Sequence, residues 1–242
     1  MIKKILFLCM TLMILLMPKG PVEAAGITAY EKFISPAYWT KHNADGDKVV
    51  LNAAGVEAFN KKIIAASPTV YDMAAYPKTL SGKTVTAYVN THTDLSDELY
   101  REGKLVSDNY KNILRSQTNA AAIPAEVTVR YGVTVRRANL RNLPTGEGLF
   151  FYASDRNFDA LQETALDPGE AVAILHTSTN GYFYYVQAYN YRGWLSKFDV
   201  AETDRSTWLR YAEPKNFLTV VAKDYTLKAD GAQVLFQQGA RL

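Results

Sequence analysis

The chain has 242 residues, 48% of them hydrophobic, with 27 basic and 24 acidic side chains and a formal charge of +3. That much apolar material fills one or two cores, which excludes a disordered chain. So even a charge balance lacks the basic stripe that nucleic-acid binders carry, and nucleic acid is not an expected partner.

At the start, Lys3-Lys4 precede an apolar run over 5–17, and Val22-Glu23-Ala24 offers a small-x-small cleavage site. The pattern predicts a secretory signal peptide over 1–25 rather than a membrane span. The expected product is secreted or periplasmic, in the cell envelope, with no membrane span after signal removal. The single cysteine, Cys9, lies inside the apolar run and lacks the small residues that precede a lipidated cysteine. Cleavage therefore discards the only thiol, and the mature chain has neither a disulfide nor a cysteine nucleophile. Lys3, Lys4, Lys19 and Glu23 leave with it, so the product is nearly neutral.

Residues 27–45 read as a polar and aromatic lead-in around SPAYW. Next, Asn43, Asp45 and Asp47 alternate like the start of a calcium loop. Lys48 stands where that loop needs glycine and Ala54 where it needs a bidentate Glu, so the segment is read as a turn. Asn52 is placed to cap a helix running to about Ala65, with Val56, Phe59, Ile63 and Ile64 along one face, and Ser67-Pro68 ends it. The stretch TVTAYVNTH alternates and predicts a strand. Ser107 is placed to cap a second helix whose Tyr110, Ile113 and Leu114 share a face. An Ala-Pro break in NAAAIPAEV marks a boundary.

Strands are then predicted in EVTVRYGVTVRRA, LFFYAS, EAVAILHTS, GYFYYVQAY and RGWLSKF. Alternation of Ala171, Ala173 and Leu175 against Val172, Ile174 and His176 predicts a strand covered on both faces. Thr179-Asn180-Gly181 predicts a hairpin turn into the next strand. Short strands separated by turns predict a small barrel or sandwich over 136–201. A polar stretch, ETDRSTWLRYAEP, separates it from a final piece with about three strand-length runs, too few to close a barrel.

The segments RYGVTVRRANLRNLPT, FDALQ, GEAVAILHTS and YRGWLSKFDVA resemble the bacterial SH3-like domain of secreted NlpC-type peptidoglycan peptidases. The upstream W…D…VVLNAAGVEAFNKKI…VYDMAAYP is similar to the N-terminal stabilising domain of the same enzymes. The resemblance implies an α+β chain: a small helical N-terminal region over 26–124, an SH3-like β-barrel over 125–212, and an incomplete second SH3-like domain over 213–242. Such enzymes are γ-D-glutamyl-diamino acid endopeptidases working with a Cys-His pair on a downstream papain-like domain. Here no cysteine follows position 9, so covalent catalysis has no thiolate and the chain alone is expected to be inactive, with no catalytic residue, metal or cofactor of its own. His92 in THTD gives two metal ligands without a third, while His176 and His42 read as structural. A Ser-His-Asp triad stays open on composition, although no G-x-S-x-G elbow supports one.

What remains is recognition. In relatives, a loop of the first SH3-like domain leans over the catalytic cleft and helps select peptides with a free amino end. The corresponding region here is 151–162, and a peptide ammonium calls for carboxylate or aromatic partners, so Tyr152, Asp155, Asp159, Gln162 and Trp194 are the candidate binding residues. A structural alternative stays open, with the aspartates capping turns and Tyr152, Phe158 and Trp194 filling the core. The expected partners are a peptidoglycan stem peptide and a separate NlpC-type catalytic domain. The resulting expectation is a non-catalytic substrate-recognition part of a wall peptidase. The alternative is a free-standing wall-binding or interaction module.

Overall fold

In a computed structural model of the protein, the structure describes residues 30–91, 95–229 and 231–242. The signal peptide and His92 lie outside the described residues. Two compact units divide the chain, Met1–Glu57 and Ala58–Leu242. The expected boundary near residue 124 falls inside the second unit.

The first unit carries α1 (Pro36–His42) and opens α2 (Ala53–Ala66). SPAYW is thus helical rather than a lead-in loop, with Pro36 in the first turn, where a missing N–H costs nothing. Its aromatic rings pack locally: Phe33 lies edge-on to Tyr38 at 5.0 Å, His42 stacks on Tyr38 at 4.1 Å, and Trp39 Nε1 donates to Phe33 O at 2.6 Å. Residues 44–47 form the expected turn, and Asn52 Oδ1 caps α2 by accepting from Gly55 N at 2.8 Å.

In the second unit β1 (Thr79–Ser81) pairs with β4 (Glu126–Thr128) and leads into α3 (Gly82–Asn90). A strand was predicted here, and the helix overturns it. Thr84, Val85, Thr86 and Val89 favour a strand locally, but Ser81 Oγ accepts from Thr84 N at 3.1 Å, and Val85 and Val89, four residues apart, are both fully buried. Tertiary burial decides the conformation over β-propensity. A tight hairpin follows, β2 (Tyr100–Arg101) and β3 (Lys104–Leu105), with Glu102 and Gly103 both at positive φ (51° and 82°). Ser107 then caps α4 (Asp108–Ser116) as expected, accepting from Tyr110 N at 3.3 Å.

The main sheet joins β5 (Arg130–Thr134), β6 (Ala138–Arg141), β7 (Gln162–Leu166), β8 (Ala171–Thr177), β9 (Phe183–Gln187), β10 (Arg192–Ser196) and β11 (Val200–Thr203). All its pairs are antiparallel, in the order β11-β5-β8-β9-β10-β6-β7, so the sheet is open at β11 and β7 where a closed barrel was expected. The covered strand is as predicted. Ala171, Ala173 and Leu175 of β8 face one cluster with Val85, Val89, Trp194 and Trp208, while Val172 and Ile174 face another with Leu140, Val186 and Leu195. The first cluster spans α3 and the sheet, so residues on both sides of position 124 share one core. Gly82 lets the two approach: a Cβ there would meet Pro124 O at 1.9 Å.

The predicted strand LFFYAS is not one; of its residues only Phe150 makes a ladder contact, a bridge to Tyr100. The polar stretch after the sheet folds as α5 (Arg205–Ala212), capped by Asp204 and buried through Trp208. Beyond it β12 (Asp224–Ala229) and β13 (Ala232–Gln237) form one hairpin around Val220, Phe236 and Ala240. Among the described residues no helix is long and apolar enough to cross a membrane.

His176 on β8 is expected to couple the stability of the core to pH. Its Nε2 lies 3.0 Å from Asn119 O and must carry the proton there. Burial holds its pKa below the ordinary 6.5, with nearby Arg130 acting the same way and the Asn119 and Thr118 carbonyls opposing. A histidine whose folded pKa is lowered binds its proton first in the unfolded chain, so its contribution is complete above pH 6.5 and lost as pH falls below it. A Tm series from pH 7.5 down to 5.5, about that ordinary value, should slope downward for the native chain and flatten in His176→Gln. Equal slopes would show that the histidine does not couple to folding.

Candidate functional site

Between β6 and β7 the chain makes a long excursion whose ends are tied by one carboxylate. Asp159 Oδ1 accepts from Leu149 N at 3.1 Å and Leu161 N at 3.0 Å, and Oδ2 accepts from Arg141 Nη1 at 2.7 Å. Arg141 continues the tie through Nη2 to Glu147 O at 2.6 Å. Leu143, Leu149 and Leu161 fasten the same loop to Leu95, Leu99, Val106 and Leu114. Both oxygens of Asp159 are therefore occupied inside the loop, and its side chain is only 18% exposed.

Asp155 folds the tip. Its Oδ1 accepts from Asn157 N at 2.8 Å and Phe158 N at 3.3 Å, and these backbone bonds hold its carboxyl below the usual carboxylate range. Gln162 spends its amide on Asn139 Oδ1 at 3.3 Å and Thr164 O at 2.6 Å. Trp194 has no exposed surface and packs edge-on to Tyr185 at 5.2 Å, so it cannot be a ligand contact as placed. Of the three aromatics that could have filled the core, only Trp194 does so. Phe151, Tyr152 and Phe158 are 50%, 71% and 78% exposed, while the anchors are Asp159 and the leucines.

The β2–β3 hairpin leans on this loop. Tyr100 and Phe150 exchange backbone bonds of 2.7 and 2.9 Å, and a Cβ on Gly103 would sit 3.3 Å from Ala153 O. Arg101 Nη1 pairs with Glu147 Oε2 at 3.1 Å, Tyr110 OH donates to the same carboxylate, and the Arg101 guanidinium lies 5.1 Å from the Tyr110 ring centre. A shallow cavity of about 320 Å³ opens there, lined in part by Arg101, Lys104, Leu105 and Tyr110. Sequence reasoning missed the hairpin, whose signal was Glu102-Gly103 between Leu99-Tyr100 and Leu105-Val106. The assembled surface is an aromatic loop, tied down by Asp159 and the leucines, with a charged hairpin beside it, and loops held this way commonly carry recognition. Among the described residues no group of three His, Cys, Asp or Glu side chains gathers to hold a metal.

Residues 149–196, which contain the aromatic part of this loop and β7 to β10, match the SH3 domain family of the SH3b1 type. The fold is similar to a solved NlpC/P60 endopeptidase from Photobacterium damselae subsp. piscicida, with a TM-score of 0.60 and 18% sequence identity over 81% of this chain. The chain spans 47% of that structure's length. No curated protein matches the chain. The expected resemblance to a bacterial SH3-like domain of NlpC-type proteins is borne out.

Proposed function

We propose that this chain is the wall-recognition region of a cell-wall hydrolase of the NlpC type, exported to the cell envelope and non-catalytic by itself. The observation that carries the reading is the SH3b1-type match over 149–196, because it falls on the segment that displays the exposed aromatic loop. In this reading residues 26–124 stabilise the SH3-like domain of 125–212, the main sheet acts as its barrel, and 213–242 open a second SH3-like domain. The ligand is a peptidoglycan stem peptide, presented to an NlpC-type catalytic domain. Tyr152 is the leading contact and Asp155 orients the tip, with Gln162 supporting the loop base. Aromatic faces serve such a role because they supply contact area and attract a peptide ammonium.

Retention on purified sacculi tests the proposal. Tyr152→Ala combined with Phe158→Ala is expected to weaken retention at least about tenfold, since exposed aromatic anchors carry interface energy, while leaving Tm within about 2 °C. Unchanged retention would remove this loop from the binding surface.

A further inference from the structure

A second recognition element lies away from the loop, where the end of α3 meets the turn between β9 and β10. A cavity of about 510 Å³ opens there among Thr69, Tyr88, Tyr185, Asn190, Tyr191 and Arg192. That volume is in the range of small-ligand sites. Among the described residues Arg192 is the only charged one lining it, and its guanidinium stacks 3.7 Å from the Tyr88 ring centre. Stacking covers the face of the fork and leaves its N–H edge available. Among the described residues no carboxylate forms an ion pair with Arg192.

The surrounding tyrosines do not neutralise it either. Burial pushes the Tyr76 and Tyr185 hydroxyls well above their ordinary range, so both stay uncharged beside the cation. Tyr185 OH donates to Tyr88 O at 2.8 Å, and Tyr71 N donates to Tyr189 O at 2.7 Å, which ties the turn carrying Asn190 to the segment before α3. Glu163, the acidic group at this end, accepts from Tyr191 OH at 3.0 Å. Among the described residues the site is thus a pre-formed, largely apolar recess whose cation is planar and two-pronged and has no carboxylate in direct ion pair with it.

We propose that this cavity binds the free carboxylate end of a short peptide, gripped bidentately by Arg192, with the terminal side chain against the Tyr88 and Tyr191 rings. A single guanidinium in an aromatic recess matches a planar monoanion joined to carbon. A phosphate polymer would call for several cations, and the lining holds one among the described residues. Naming the peptide a wall stem peptide rests on the function proposed above; the carboxylate chemistry does not.

The full chain is titrated with N-acetyl dipeptides ending in Gly, Ala, D-Ala or Leu, each as free acid and as carboxamide, and followed by chemical-shift perturbation. At least one acid should bind about tenfold or more tightly than its amide, because the amide lacks the charge that Arg192 reads. Arg192→Gln should lose that preference, and Arg192→Lys should keep part of it. Equal affinity of acid and amide, or no binding by any acid, overturns the proposal. The acid-to-amide comparison is made on the unaltered chain, so it stands even if Arg192→Gln fails to fold. Sacculus retention is measured separately: acid-selective binding without retention would sink the wall reading and leave the carboxylate site in place.

Discussion

Arg141→Met is expected to destabilise the chain by about 3–5 kcal/mol, the range for stranding one member of a buried ion pair. Arg141 and Asp159 are 6% and 18% exposed, so little solvent screens their 2.7 Å contact. Removing the guanidinium leaves a carboxylate that keeps only the Leu149 and Leu161 amides, and it frees Glu147 O as well. Asp159→Ala should cost at least as much, because it strands the more deeply buried Arg141 charge and also leaves the Leu149 and Leu161 N–H groups without their acceptor. In both variants sacculus retention should fall together with stability, whereas the Tyr152 and Phe158 substitutions lower retention alone. Urea unfolding monitored by circular dichroism checks the ranking. A loss under about 1 kcal/mol for Arg141→Met would mean that the leucine cluster alone holds the loop.

Local signals made much of this fold readable. Asn52 and Ser107 cap helices because a cap needs only its own next three residues, and the two-sided strand of β8 shows in its own alternation. Where the deciding partner is distant, the reading failed. Thr84 to Val89 satisfies period two and helical spacing alike, and the choice falls to packing of Val85 and Val89 against sheet residues far along the chain. Asp159 was marked as a possible ligand contact because nothing within the FDALQ motif reveals that Arg141, 18 positions earlier, takes its charge. Tyr152 and Phe158 could equally have filled the core on the sequence, yet three leucines of the loop fill that place and leave both rings outside. The SH3-like motifs themselves were legible because strand and turn order lies within one contiguous stretch. The pocket around Arg192 was not, since its tyrosines come from α3 and, about a hundred residues later, from β9 and the turn that follows it.

Trp208→Ala is expected to cost about 3–5 kcal/mol, the range for emptying a buried aromatic site. Trp208 lies outside the 149–196 family match, on α5, but has no exposed surface. Its ring packs 4.8 Å from Tyr131 of β5, and its Nε1 donates to Val172 O of β8 at 3.1 Å. Asp204 starts the helix that delivers it, accepting from Thr207 N at 3.0 Å and from the Ser206 hydroxyl. Arg205 Nη2 reaches Ala74 O at 3.1 Å, so the same short helix touches both the sheet and the segment before α3. Trp208→Phe keeps most of the volume and loses the donor, and should cost about 1–2 kcal/mol. Chemical denaturation followed by near-ultraviolet circular dichroism separates the two variants. If Trp208→Ala unfolds within about 1 kcal/mol of the native chain, α5 is a dispensable connector, and the cooperative unit ends with the sheet. If the full loss appears in one transition, the folding unit extends past the family match at both ends, through α3 before it and α5 after it.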